Sequence, residues 1–369
     1  MLSTRSIRSD PQSHFVWLLL LCMPAGLMGT AYLFAMLVML EAIGVRIQKS
    51  HHKIRATGIF GATMKKAIVT AAITGSIHTP TMSPHLPVTP EQIIDEILAV
   101  HEAGGAVCHV HVRDPQTGRP KSDLELFREI TGTVKNRCNI VLCLTTGGGA
   151  GMSAEERVQV VTGCSPELAS FNAGSLNFGI FPLAKKHQDW KFDWEPKYLQ
   201  MTEDLVFANT FKTLREFCGF FAQNDTKPEL EVYDAGMINN IAFLIRQGHL
   251  KKPVYIQFVM GVLGGMPPSI ENLVFLMESA RRLIGEFEFS VCVAGRDQFP
   301  MCTHSLLMGG HVRVGLEDNL WLEKDVMAKS NAEQVRKIIR IGREFGIEPA
   351  TADEAREILG LKGLERVGY

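Results

Sequence analysis

The sequence has no Cys-x-x-Cys pair, and its eight cysteines are scattered without the spacing of a zinc finger. A chain of 369 residues can bury a core without covalent staples, so reduced cysteines in a cytosolic setting are the expectation. An excess of charge of either sign is missing too. The 38 Lys and Arg against 39 Asp and Glu leave a formal net charge of -1. No global field then draws the chain to nucleic acid or to an anionic membrane surface. After Met64 there is no low-complexity linker and no internal repeat beyond a strand–helix unit. A glycine-rich phosphate turn after the first strand is also absent, since Thr74-Gly75-Ser76-Ile77 stands there. That counts against a doubly wound dinucleotide-binding sheet. What is present, 46% hydrophobic and 21% charged residues, is the composition of a globular protein.

From Phe15 to Leu40 charged residues are lacking altogether. The run is long enough to span a bilayer. Arg5 and Arg8 before it and Arg46 and Lys49 after it leave its orientation unset. A secretory signal would have a shorter apolar core and a small-residue cleavage site. The globular pattern starts directly after Met64, with KKAIVTAAIT. Residues 1–63 are therefore read as a hydrophobic extension, from a start placed too early or as a membrane anchor, and 64–369 as the catalytic domain. The first origin implies a cytoplasmic protein, the second a membrane-anchored one held through residues 15–40.

From Lys66 onward, apolar strand-like runs alternate with amphipathic ones. Strands are expected at 67–73, 106–112, 140–146, 167–172, 230–234, 253–261, 287–295 and 311–318. Thr89-Pro90-Glu91 opens the first helix, with Thr as N-cap and Pro at the first helical position. Ile93, Ile94, Ile97 and Val100 give it one apolar face, and Gly104-Gly105 ends it. Further helices are expected at 122–136, 153–163, 202–222, 237–248, 269–284, 297–309 and 331–346, with a tail helix at 352–360. An insertion at 176–200 carries Phe178, Phe181, Trp190, Phe192, Trp194 and Tyr198. Eight strand–helix units with near-continuous apolar strands predict an α/β (β/α)8 TIM barrel preceded by the hydrophobic extension.

The second strand reads Cys108-His109-Val110-His111-Val112. Side chains at i and i+2 of a strand share a face, so both imidazoles can converge near the C-terminal end of the barrel, where barrel active sites lie. Two converging imidazoles suit a divalent metal, zinc first among them; two hydrogen-bonded core histidines are the plainer alternative. Glu317-Asp318 closes the last strand after Gly315. One carboxylate can ligate while the other serves as a base, or both can merely open the next helix. Three protein ligands would leave a position open, the catalytic pattern. Arg313, mid-strand, needs an anion if buried, either a carboxylate of the site or one on a substrate. Thr145, Thr146, Gly147 and Gly148 end the third strand, where backbone N–H groups can approach a ligand. Thr146 is expected to point at the site, with Thr145 close behind. Ser170 and Asn172 share a face of the fourth strand, with Ser175 just beyond, and Glu229 and Glu231 share a face of the fifth. These are candidate walls of the site.

Taken together, HVHVRDP, TTGGG, SFNAGSLNFG and HVRVGLEDN resemble the zinc-dependent β-keto acid cleavage enzymes, which include the 3-keto-5-aminohexanoate cleavage enzymes. The likeness runs from about Lys66 to Gly363 and includes ITGSIHTP and LPVTPEQI. It implies a zinc ion on His109, His111 and Glu317, Asp318 as base, Arg313 as the active-site arginine, and a substrate contact at Thr145 or Thr146. It implies transfer between a β-keto acid and acetyl-CoA, giving acetoacetate and a new acyl-CoA, with no cofactor beyond zinc. It also implies a homo-oligomer, a tetramer. Members taking a cationic amine carry an acidic residue just after the first strand's Thr-Gly. Here Ser76, Ile77 and His78 follow, which disfavours an amino-bearing substrate. Gly236-Met237 and Gly295-Arg296-Asp297 also depart from many relatives. A metal-dependent barrel hydrolase would carry histidines at the ends of strands 5 and 6, where Tyr233-Asp234 and Gln257-Phe258 stand. A metal-bearing barrel that only senses a keto acid would be separated from an enzyme by turnover with acetyl-CoA.

Overall fold

The computed structural model of the chain describes residues 65–147 and 152–369. The apolar run at 15–40 and Gly148 lie outside them. Among the described residues no helix is long and apolar enough to cross a membrane. Eight parallel strands close into a barrel: β1 Val69–Ala72, β2 Val107–Val110, β3 Val141–Leu144, β4 Leu168–Asn172, β5 Lys227–Val232, β6 Tyr255–Met260, β7 Glu288–Val293 and β8 His311–Val314. Val312 of β8 pairs with Val69 of β1 and completes the ring. Helices follow the strands: α1 Pro90–Glu102, α2 Leu124–Lys135, α3 Ala154–Cys164, α4 Phe211–Gln223, α5 Ala235–Arg246, α6 Ile270–Ile284, α7 Gln298–Leu307 and α8 Asn331–Glu344. This is the (β/α)8 architecture that the alternating pattern predicts.

Local chemistry sets the helix starts. Thr89 accepts from Gln92 N while the Gln92 side chain reaches back to the cap backbone, and Ser153 and Glu156 make the same reciprocal box. The outward residues of the strands, such as Val110, Phe171, Phe258 and Val314, join the helices in one apolar layer. The inward residues nearest the strand starts, including Ile68, Val107, Val141 and Leu168, form a second cluster with Ala352, Ala355 and Leu359 of α9 Ala352–Leu359. That helix plugs the N-terminal mouth. Arg356 ties it down with two bonds, at 2.9 and 2.8 Å, to the buried Glu167 carboxylate.

Most elements differ from their expected bounds by a few residues, and three of the differences shape the site. The second strand stops at Val110, and His111 sits between it and a short pairing of Val112–Arg113 with Pro120–Lys121. The eighth strand stops at Val314, because Gly315, at φ +142°, turns the chain. The helix expected from 202 begins at Phe211, where Thr210 caps it. The insertion instead runs on through a 3-10 turn at Met201–Asp204, and Val206–Phe207 pairs with Leu176–Asn177.

Candidate active site

The site forms where β2 and the turn after β8 meet above the barrel interior. His109 Nε2 lies 3.7 Å and His111 Nε2 3.5 Å from Glu317 Oε1. The two rings stand edge-on, with centroids 5.1 Å apart. Glu317 is delivered by backbone geometry. Its N–H donates to Ala72 O of β1 at 3.1 Å. Gly315 passes so near β1 that a Cβ there would fall 2.2 Å from Ala72 O. The first turn of α8 holds the other side, Asn331 Oδ1 accepting from Leu316 N and Gln334 Oε1 from Gly315 N, each at 2.8 Å. Gly75, at φ +59°, makes room for the Glu317 side chain.

Arg313 binds this turn from below. Its Nε and Nη2 donate to the two Asp318 oxygens at 2.9 and 3.0 Å, and Nη2 also to Glu317 Oε1 at 2.7 Å. Its Nη1 donates to Gln257 Oε1 at 3.2 Å and lies 3.6 Å from Glu231 Oε1. All of these groups are buried. Burial opposes the charge on Glu317, but the Arg313 guanidinium against its Oε1 outweighs it and holds the carboxyl well below its usual range. Burial dominates at Asp318 and raises its carboxyl despite the Arg313 pair. Glu231 is pushed by burial to about 8. Burial also drives His109 well below its ordinary value, so its ring is the neutral form a metal binds.

The donor set fits a divalent cation. Ligand atoms of His109, His111 and Glu317 all lie within 4.8 Å of one another. Ligands about 2.0–2.2 Å from one tetrahedral ion sit roughly 3.3–3.6 Å apart, close to the two His–Glu separations. Glu317 Oε2 is buried with no hydrogen-bond partner among the described residues, a cost that a cation would remove.

A cavity of about 350 Å³ opens beside this group. Thr145, Gly147, Ser170, Asn172, Glu231, Arg313 and Asp318 border it, as do the three candidate ligands. Two expectations are corrected. Thr146 does not face the cavity: its hydroxyl donates to Ser170 O at 2.7 Å and its carbonyl accepts from Arg157 Nε at 2.7 Å. On a strand end, neighbours point opposite ways, and Thr145 has the inner face. Ser175 is exposed outside the cavity, its hydroxyl accepting from Asn209 N at 2.8 Å. Reading by strands alone missed Arg157, Phe178, Ile180 and Tyr198, which line the cavity from α3 and the insertion. The aromatic cluster of the insertion was the available signal. Arg113, the arginine of the CHVHVRDP stretch, serves the scaffold: it is buried and donates to Thr74 Oγ1, Thr74 O, His78 O and Gly118 O at 2.7–2.9 Å. It thereby fixes the loop that carries Gly75.

Residues 66–361 match the sequence profile of the beta-keto acid cleavage enzyme family. The chain belongs to that family. Among its curated relatives is a 3,5-dioxohexanoate:acetyl-CoA acetone transferase of Paraburkholderia graminis, 42% identical over 84% of this chain and 100% of the relative. A 3-keto-5-aminohexanoate cleavage enzyme of Acetoanaerobium sticklandii is 40% identical over 81% of this chain and 99% of that protein. A 3-oxoadipate:acetyl-CoA acetyltransferase of Cupriavidus necator is 32% identical over 81% of this chain and 96% of that protein. The apo structure of ObcA superposes with a TM-score of 0.61 at 23% identity, covering 76% of this chain and 66% of the other. At that identity the likeness speaks for the barrel alone. For this family member, the buried His109, His111 and Glu317 group is a site able to bind a metal.

Proposed function

We propose that this enzyme transfers an acyl group from a β-keto acid to coenzyme A, taking acetyl-CoA as cosubstrate and releasing acetoacetate. The observation that carries the reading is the meeting of two imidazoles and one carboxylate beside the Arg313–Asp318 pair, in a barrel of this family. Zinc on His109, His111 and Glu317 would polarise the substrate's keto oxygen and carboxylate. Asp318 takes a proton from the carbon between the two carbonyls. That carbon attacks the acetyl thioester, and the carbon–sulfur bond breaks. The thiolate released attacks the original keto carbon, and the carbon–carbon bond to it breaks. Asp318 returns its proton to the departing acetoacetate carbon, so atoms and charge balance. Arg313 holds Asp318 in place through both of its oxygens and keeps a positive charge beside the developing anion. Thr145, Gly147, Ser170, Asn172 and Glu231 hold the substrate's polar groups.

The substrate side chain is neutral. Ile77, Phe178, Ile180 and Tyr198 border the cavity, and an ammonium group would find Ile77 where amine-taking members of the family keep an acid. The test is acetoacetate formation by the purified protein from acetyl-CoA and a panel of β-keto acids. Neutral side chains should give the highest kcat/KM, and no turnover with any of them would refute the reading. We also take residues 64–369 as the catalytic unit of a cytoplasmic homotetramer, with 1–63 outside it. Intact mass of the protein from its native host and its light-scattering mass test these points.

A further inference from the structure

One of the three candidate ligands, His109, also belongs to a second cluster of buried groups. The Cys143 thiol of β3 donates to Glu229 Oε2 of β5 at 3.4 Å. A ring nitrogen of His109, the thiol sulfur and a Glu229 oxygen lie within 4.8 Å of one another. Register places Cys143 beside His109 on neighbouring strands. All three residues are closed off from solvent. Two polar atoms in this cluster have no hydrogen-bond partner among the described residues: His109 Nδ1 and Glu229 Oε1.

These two orphans are complementary. An imidazole that offers Nε2 to a cation carries its remaining proton on Nδ1. A buried N–H without an acceptor is costly. A metal-bound histidine almost always gives that proton to a carboxylate, a carbonyl or a water. Glu229 supplies an oxygen lacking a donor, and the thiol pins its other oxygen. With a ring nitrogen and a carboxylate oxygen within 4.8 Å, a side-chain rotation or one bridging water would join them.

We propose that Glu229 is the positioning residue of the metal centre, accepting the Nδ1 proton of His109 so that Nε2 stays aimed at the ion shared with His111 and Glu317. This rests on the zinc reading of the site. Glu229→Gln keeps the shape and removes the charge. Measured against a competing chelator with the full chain, its zinc dissociation constant should rise about 10–100-fold. The ligand-field bands of the cobalt-substituted variant should shift as well. A merely structural residue would move neither. Cys143→Ala, which releases the far carboxylate oxygen, should weaken zinc severalfold, and it carries the test if Glu229→Gln does not fold. Unchanged zinc affinity in the folded variant overturns the proposal. So does a second metal per chain, or a thiolate-to-cobalt charge-transfer band in the parent, because Cys143 and Glu229 would then be ligands. A parent that holds no zinc sinks the metal reading itself, whereas the proposal alone fails when parent and variant hold zinc equally well.

Discussion

Gly75→Ala tests the placement of Glu317 without touching any candidate ligand. Gly75 sits at φ +59°, and a Cβ there would fall 2.2 Å from Glu317 Cγ, 2.6 Å from Cδ and 2.8 Å from Cβ. Because even the Glu317 Cβ is too near, rotating the outer bonds of the glutamate cannot relieve the overlap. Alanine in the left-handed region costs about 1–2 kcal/mol, and overfilling a packed site about 1–3 kcal/mol more. The sum, about 2–5 kcal/mol, corresponds to a fall in melting temperature of roughly 3–8 °C for a barrel of this size. Gly360→Ala is the control. Its φ is +62°, but nothing lies within 4 Å of the added carbon, so only the backbone cost of about 1–2 kcal/mol applies. The two variants therefore share the strain and differ in the collision. Gly75→Ala should lose more than about 100-fold in zinc affinity, since a displaced ligand costs more than a lost supporting bond. Gly360→Ala should bind as the parent does. Differential scanning calorimetry and chelator competition read both. Equal zinc affinity in all three proteins would refute the argument that Gly75 exists to admit Glu317.

His109→Ala should remove zinc and turnover together while circular dichroism shows an intact barrel; metal near one per chain by elemental analysis would mean that His109 is not a ligand. Asp318→Asn should retain zinc and slow exchange by about 10²–10⁴-fold, and unchanged turnover would exclude Asp318 as the base. Ile77→Glu should raise kcat/KM for an amino-bearing β-keto acid relative to a neutral one by at least about tenfold; an unaltered ratio would separate Ile77 from side-chain selection. Arg356→Ala strands the Glu167 carboxylate, which is 0% exposed, and should cost about 3–5 kcal/mol in urea unfolding. A loss below about 1 kcal/mol would show that the C-terminal plug is held by its apolar contacts alone.

Much of the fold is legible because each strand–helix unit is local. Thr89 and Ser153 announce their helices through a hydroxyl and a side chain three residues on, and both boxes form. The barrel follows from eight repeats of that unit. The ends of strands were less legible. Nothing in HVRVGLED forbids a strand to residue 318; the chain turns at Gly315 because β1 leaves no room for a side chain there. The same holds at the third strand, where Thr145 and Thr146 are chemically alike and only the pleat decides which one faces the cavity. The cavity wall from the insertion was the least legible part, because nothing in 176–210 fixes its distance from β2.

The order of residues alone determined the eightfold strand–helix alternation, the His-x-His pair on one face and the acidic pair after the last strand, since period and spacing are properties of the chain. Closure of the barrel decided the rest. It carried Glu317 across 206 positions of sequence from His111 to within 3.5 Å of it, set Arg313 against both carboxylates, and brought a Glu229 oxygen within 4.8 Å of a His109 ring nitrogen. Those meetings depend on ring closure and close backbone approach, and no local pattern records either.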